Sequence, residues 1–198
     1  MLLLASQSLR RRELLDQIGV PHETLAVGVD ESPLPGETPS DCAVRLALAK
    51  ARRGHGISGG QRPVLGADTL VWAGEILGKP RDRAEGLAML AVLSDRSHEV
   101  VTAVALVWPG QEATRLCVSR VRFRAMSPRE MAAYWETGEP WDKAGAYAIQ
   151  GRGALFVASL EGSYSGVMGL PLFETGELLA EACLLPPLHP ASRELCHQ

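Results

Sequence analysis

The chain lacks most of the features that declare a protein's class at sight. Four cysteines, Cys42, Cys117, Cys183 and Cys196, lie scattered through 198 residues with no C-x-x-C pair, so neither a zinc clip nor a disulfide framework is signalled. Charge of one sign is also missing. Twenty Lys+Arg against twenty-three Asp+Glu leave a formal charge of −3, which offers no broad attraction to a nucleic-acid polymer or an anionic membrane. The longest apolar run, Val100 to Trp108, falls far short of the ~20 residues that cross a bilayer. Met1 to Ala5 is apolar for too few residues to read as a signal peptide, so a cytoplasmic location is expected. The five histidines show no H-x-x-x-H or H-E-x-x-H spacing, and neither a G-x-S-x-G elbow nor a P-loop lysine motif is present. These absences argue against a His-built metal site, a serine hydrolase and a P-loop ATPase. Four scattered tryptophans make no stacking platform, and there is no internal repeat or heptad run.

What remains is ordinary globular usage, 46% hydrophobic and 22% charged, in a length that suits one large domain or two small lobes. Met1 to Ala5 reads as a short buried strand, followed by a polar turn and a helix with Leu14, Leu15 and Ile18 on one face, stopped by Gly19. A second strand is expected over Glu23 to Val27. A helix begins at Thr38-Pro39-Ser40-Asp41, with Thr38 as N-cap and Pro39 at the first position, and is expected to reach Arg53. Gly54 to Arg62 reads as a connector. Val64 to Trp72 then reads as a buried strand with an acid at its centre. Asp82 and Glu85 cap a helix ending near Leu93, and His98–Trp108 and Glu112–Arg124 form two strands joined at Pro109-Gly110. Ser127-Pro128-Arg129-Glu130 is a capping-box start. A strand over Ala154 to Leu160, a loop over Gly162 to Gly169 and a helix over Pro171 to Cys183 complete the pattern. The expected fold is α/β, a mixed twisted sheet with flanking helices in two lobes around a cleft, over residues 1–184, with a Pro-containing tail over 185–198.

Three places could carry chemistry. Ser6-Gln7-Ser8-Leu9-Arg10-Arg11-Arg12 puts hydroxyls and three guanidinium groups at the start of a helix, where acids are normally preferred. A bound anion would resolve that conflict, and a solvated, capped first turn is the other reading. Asp68, followed by Thr69, stands among Leu65, Ala67, Leu70 and Val71, and a buried carboxylate is costly unless paired or metal-bound. An edge-strand Asp facing water is the alternative. Leu77-Gly78-Lys79-Pro80 could return Lys79 beside Asp68 through a short hairpin. In Trp141 to Gly151, small residues permit close approach to a ligand, and the Gln150 amide could read a base edge; an irregular connector would look the same. His98 reads as closing a turn or capping a strand.

In this order the motifs resemble the Maf family of nucleoside triphosphate pyrophosphatases. The likeness runs from Leu4-Ala5-Ser6-x-Ser8-x-Arg10-Arg11 through Gly66-Ala67-Asp68-Thr69, Leu77-Gly78-Lys79-Pro80 and Asp142-Lys143-Ala144-Gly145-Ala146-Tyr147-Ala148-Ile149-Gln150-Gly151 to Gly162-Ser163-Tyr164 and Gly169-Leu170-Pro171-Leu172. The resemblance implies an inosine-triphosphate-pyrophosphatase-like architecture and divalent-metal-dependent cleavage of a nucleoside triphosphate to monophosphate and pyrophosphate. The form of the Asp142–Gln150 segment is similar to the branch acting on dTTP and UTP, a housekeeping role that limits unwanted nucleotides in the pool. Asp68 then matches the proposed proton acceptor, Arg10, Thr69 and Gln150 the positions that set substrate choice, and Glu31, Lys50 and Lys79 the conserved cleft charges. The resemblance also admits a homodimer. Leu9 stands where the family has Pro, Asp95 where it has Gly, and Gly166 where Asn is common.

The expected site therefore has Ser6, Ser8, Arg10, Thr69 and Gln150 binding substrate, and Arg11, Lys50 and Lys79 neutralising the leaving pyrophosphate. Mg²⁺ or Mn²⁺ is expected on Glu31 and Asp68 with phosphate oxygens and water. Whether Asp68 acts as base, metal ligand or both stays open. Two other readings are open as well: a 7-methyl-GTP pyrophosphatase, and a nucleotide-dependent binding protein acting on septum formation and cell-division arrest.

Overall fold

The structure, a computed structural model, describes residues 1–186. Seven strands form one mixed sheet: β1 (Leu2–Leu4), β2 (His22–Thr24), β3 (Val64–Trp72), β4 (Ile76–Leu77), β5 (Ser97–Trp108), β6 (Gln111–Phe123) and β7 (Val157–Glu161). The order is β2-β1-β3-β5-β6-β7, with β4 pairing β3. β1 is parallel to β2 and β3, and the other pairs are antiparallel. The helices are α1 (Leu9–Gln17), α2 (Pro39–Ile57), α3 (Arg83–Leu93), α4 (Pro128–Trp135), α5 (Tyr164–Met168) and α6 (Leu172–Glu181).

Residue pattern explains the layering. β5 is buried almost without break from Val100 to Val107, as a central strand covered on both faces must be. β6 alternates cleanly, with Cys117, Ser119, Val121 and Phe123 inward and Leu116, Val118, Arg120 and Arg122 outward. One sheet face is covered by α2, whose Leu46, Ala47 and Ala51 pack on Leu70, Val101, Ala103 and Ala105. On the opposite face, α1 and α6 cover one end through Leu14, Leu15, Leu178 and Leu179. The other end of that face is covered by α3 and α4 through Leu90, Leu93, Met131 and Tyr134.

One feature of the sheet positions the site. β3 is paired with β5 along the whole of β3, Val64 to Trp72. On the other edge of β3, β1 pairs only with Val64 and Leu65, and β4 only with Val71 and Trp72. Between them, Gly66 to Leu70 have no strand partner on that edge among the described residues. The pleat sends Asp68 to the α2 face and Thr69 to the opposite one, so the gap opens onto both.

Several expected boundaries shift. The second strand forms at His22–Thr24 rather than Glu23–Val27, because β1 offers it only three residues. α2 continues to Ile57, past the expected stop at Arg53. Gly54 lets it lie close to β3, since a Cβ there would come 2.8 Å from Val64 Cγ1. Residues Arg152–Phe156 form a 3₁₀ turn, and the strand expected from Ala154 begins at Val157. The loop expected over Gly162 to Gly169 contains α5. The last helix spans Leu172–Glu181 rather than Pro171 to Cys183. His98, expected to close a turn or cap a strand, is the second residue of β5, and it is buried there with its Nε2 2.9 Å from the Tyr147 hydroxyl. The capping box at Ser127 and the caps at Thr38 and Asp82 form as read. The expected tail falls from residue 187 onward outside the described residues.

The family differences find local explanations. Asp95 adopts φ +54°, a left-handed conformation that suits glycine and that Asp tolerates better than most residues. A Cβ at Gly166 would sit 3.2 Å from Cys117 Sγ, so this chain fills with a thiol the space that a larger residue there would need. Leu9 simply opens α1 as its first residue, with its side chain exposed.

Candidate active site

A cleft of about 920 Å³ opens at the unpaired edge of β3, of a size typical for small-molecule sites. Ser6, Ser8, Arg10, Arg11, Glu31, Lys50, Asp68, Thr69, Lys79 and Gln150 all line it. They come from the β1–α1 turn, α1, the loop after β2, α2, β3, the turn after β4 and the segment before β7, so only the tertiary fold brings them together. Five cations and three carboxylates line the cleft, making it net positive in a chain of net charge −3. Such a cleft attracts anions.

The floor is built on α2 and β3. Gly66 allows the two to touch: a Cβ there would stand 2.3 Å from Ala47 O and 2.7 Å from Ala51 N. Lys50, on the same helical face, thereby reaches Asp68, with Nζ 2.6 Å from Oδ1. Glu31 closes over it from the loop, its Oε1 2.5 Å from the same Nζ. Burial pushes the Asp68 carboxyl above its ordinary range, Lys50 and Arg11 oppose this, and the Glu31 charge adds to the rise. Glu31 feels burial too, but Lys50, Lys79 and Arg11 outweigh it and hold its carboxyl low. The two carboxylates thus differ in proton affinity around one shared ammonium. Asp68 is 6% exposed, which removes the reading of an edge residue facing water.

The wall opposite is a hydrogen-bonded lattice around Arg11. Its Nε donates to Gly169 O at 2.7 Å, Nη2 to Thr69 Oγ1 at 3.2 Å and Nη1 to Ser6 Oγ at 3.4 Å. Ser6 Oγ also accepts from the Ser8 amide at 3.1 Å. The helix start that lacks acids is therefore organised by an inward-turned arginine. Thr69 is further fixed by Thr102 on the neighbouring strand, 3.0 Å away.

The segment carrying Gln150 is held from behind. Glu139 accepts from the Tyr134 hydroxyl at 2.6 Å and from the amides of Arg152 and Gly153 at 2.9 and 3.0 Å. Tyr134 in turn accepts from the Ala148 amide at 3.1 Å. Gly145 and Ala146 take φ +69° and +58°, and a left-handed alanine costs about 1–2 kcal/mol, strain of the kind that concentrates at functional sites. Gln150 itself is exposed at the cleft.

Sequence reasoning gave no role to Lys143, Thr102 or Glu139. Lys143 sat inside a quoted motif, whereas Thr102 in an apolar strand and Glu139 in a turn carried no local signal.

The donor chemistry fits a hard divalent cation in one way. Among the described residues no group of three or more His, Cys, Asp or Glu could hold a metal ion alone. Glu31 and Asp68 each hold the Lys50 ammonium through one oxygen, Oε1 and Oδ1, and the second oxygen of each suits a hard ion that completes its shell with phosphate oxygens and water. No helix among the described residues is long and apolar enough to cross a membrane.

The structure is thus a mixed α/β sheet whose unpaired edge opens into a net-positive cleft with a paired buried carboxylate at its floor. Residues 1–182 match the model of the Maf-like protein family, and the chain belongs to that family. It is 56% identical over 184 residues to a dTTP/UTP pyrophosphatase of Alkalilimnicola ehrlichii, covering 90% of this chain and 91% of that one. It is 50% identical over 192 residues to a dTTP/UTP pyrophosphatase of Nitrosomonas europaea, covering 90% and 92%. Among solved structures it is similar to a nucleoside-triphosphatase / dITP/XTP pyrophosphatase from Mycobacterium abscessus, at 24% identity and a TM-score of 0.40 over 62% of this chain and 73% of that one. That likeness is too slight to carry an argument.

Proposed function

We propose that this chain hydrolyses dTTP and UTP to the nucleoside monophosphate and pyrophosphate, within one domain spanning residues 1–184. The observation that carries the reading is the buried Lys50–Asp68 pair, with Glu31 on the same ammonium, at the floor of a net-positive cleft. The names of relatives at 50–56% identity support the substrate class.

In this reading Asp68 accepts the proton of a water attacking the α-phosphorus, and the bond from that phosphorus to the bridging oxygen of the β-phosphate breaks. Its raised proton affinity suits a base. Lys50 keeps the carboxylate oriented and shares the charge that develops. Arg11 and Lys79 stabilise the departing pyrophosphate, and Ser6 and Ser8 offer donors to phosphate oxygens. Gln150 can accept from the N3–H and donate to O4 of uracil or thymine, a pairing that cytosine would frustrate. Glu31 and Asp68 would hold Mg²⁺ or Mn²⁺, which when bound polarises the phosphate and acidifies water.

The test is product analysis with dTTP, UTP, CTP, GTP, 7-methyl-GTP and ATP, with Mg²⁺, Mn²⁺ or chelator. Metal-dependent formation of monophosphate and pyrophosphate from dTTP and UTP is expected. Turnover confined to a purine would overturn the role of Gln150, and nucleotide binding without turnover would favour a regulatory binding protein.

A further inference from the structure

The cleft's cations divide into two groups. Lys50 is matched by Glu31 and Asp68, and Arg11 by a carbonyl, two hydroxyls and the field of the same carboxylates. Arg10, Lys79 and Lys143 instead face one another across the mouth. Their approach is imposed by the backbone. The Gly145 amide donates to Gly78 O at 3.1 Å, tying the loop that follows Lys143 to the turn that precedes Lys79. Gly145 also packs so tightly on Val71 that its ideal Cβ position lies 3.1 Å from both methyl carbons. The lysines are thus brought near each other by fixed loops, and the Lys143 side chain is only 16% exposed.

Arg10 and Lys143 are partly buried and Lys79 is exposed, and like charges held together beside a partly buried ammonium favour a compensating anion. The groups that face Lys143 are Arg10 on α1, Lys79 after β4, Glu139 in the preceding loop and its neighbour Asp142. Glu139 is already spent on Tyr134 and two amides. Asp142 forms an ion pair with Lys143 but is 71% exposed, where water screens it. Glu13 acts on Arg10 and Glu31 on Lys79, but neither cation has a carboxylate within ion-pair distance among the described residues, so the cluster is left under-neutralised.

We propose that Lys143 is a substrate-binding residue that closes, with Arg10 and Lys79, a three-cation clamp on the phosphate chain. This rests on the nucleotide reading above. Burial, with Arg10 and Lys79 adding to it, pushes the Lys143 ammonium down to about 8. A bound polyanion reverses that push, so the free enzyme binds substrate well below this pH and progressively less well above it.

The experiment measures KM and kcat for dTTP from pH 6 to 10 in the wild type, Lys143→Met and Lys143→Arg, together with calorimetric binding of inorganic pyrophosphate to the same proteins. The wild-type KM should rise above about pH 8. Lys143→Met should raise KM about ten-fold at pH 7, with the loss falling on KM rather than kcat, and should abolish the alkaline rise. Lys143→Arg, charged throughout, should keep a low KM to pH 9. An unchanged KM in Lys143→Met, or an alkaline rise that persists at the same pH in Lys143→Arg, overturns the clamp. If the wild type turns over no nucleotide, the activity reading fails separately, and pyrophosphate decides: binding about ten-fold weaker in Lys143→Met sustains the clamp, and equal or absent binding overturns it.

Discussion

Thr69 and Thr102 stand opposite each other on β3 and β5, with hydroxyl oxygens 3.0 Å apart. Thr102 Oγ1 also lies 2.8 Å from Gly166 O, and the residue is fully buried. A hydroxyl has one hydrogen. Given to the Gly166 carbonyl, it leaves the Thr102 oxygen as acceptor for Thr69, whose own oxygen receives Arg11. Thr102 thus acts through Thr69 as a positioning residue.

Thr102→Val keeps the shape and removes this relay. Losing a buried hydrogen-bonded partner costs on the order of 1–2 kcal/mol, so kcat/KM for dTTP should fall roughly ten-fold. Thr102→Ser should restore most of it. Equal rates in wild type and Thr102→Val would show that Thr69 is held without its neighbour.

Gly66→Ala tests how α2 is seated. The added methyl would meet the backbone of Ala47 and Ala51, which cannot move aside as a flexible side chain could. Overpacking of this kind costs roughly 1–3 kcal/mol, and displacing α2 draws Lys50 from Asp68. The urea midpoint and the turnover of the folded fraction should both fall. A loss of stability with full turnover would separate the helix seat from the site.

His98 gives the protein an acid-sensitive point away from its carboxylates. It is 3% exposed, burial depresses its titration to about 4, and its Nδ1 is buried without a partner. Because the unfolded chain takes up this proton near 6.5 and the folded one does not, stability is lost as pH falls from about 6.5 to 4 and this contribution is flat below. The full loss is about 3 kcal/mol. Urea denaturation at pH 7 and 4.5 should show most of it in the wild type and not in His98→Gln. Glu37 and Glu130, each held by an arginine to about 2, act only in the lower window beneath their ordinary range.

Elements with strong local signals were legible in the sequence. Val64–Trp72 forms over the span its apolar run predicts, and the acid at its centre marks the site because a buried carboxylate needs a partner. The partner was less legible. Lys50 is 18 residues from Asp68, and their pairing depends on helix packing across Gly66, which no spacing rule contains. The motif resemblance supplied Lys50 and Glu31 where periodicity could not. β2 forms earlier in the chain than the strand-like Leu25 and Val27 predict, because its pairing is limited by the length of β1. The place of His98 at the start of a strand is legible in the sequence, but its burial is not, because only the fold packs Phe123 and Tyr147 edge-on around it.

In the proposed reaction Asp68, oriented by Lys50, is the base. The most direct measurement is pyrophosphate release from dTTP and UTP by wild type and Asp68→Asn, with nucleotide binding measured on the same folded samples. General-base removal costs about 10²–10⁴-fold, so release should fall by that factor while binding stays within a few-fold. An Asp68→Asn protein that releases pyrophosphate at a tenth of the wild-type rate or faster would show that Asp68 is not the base.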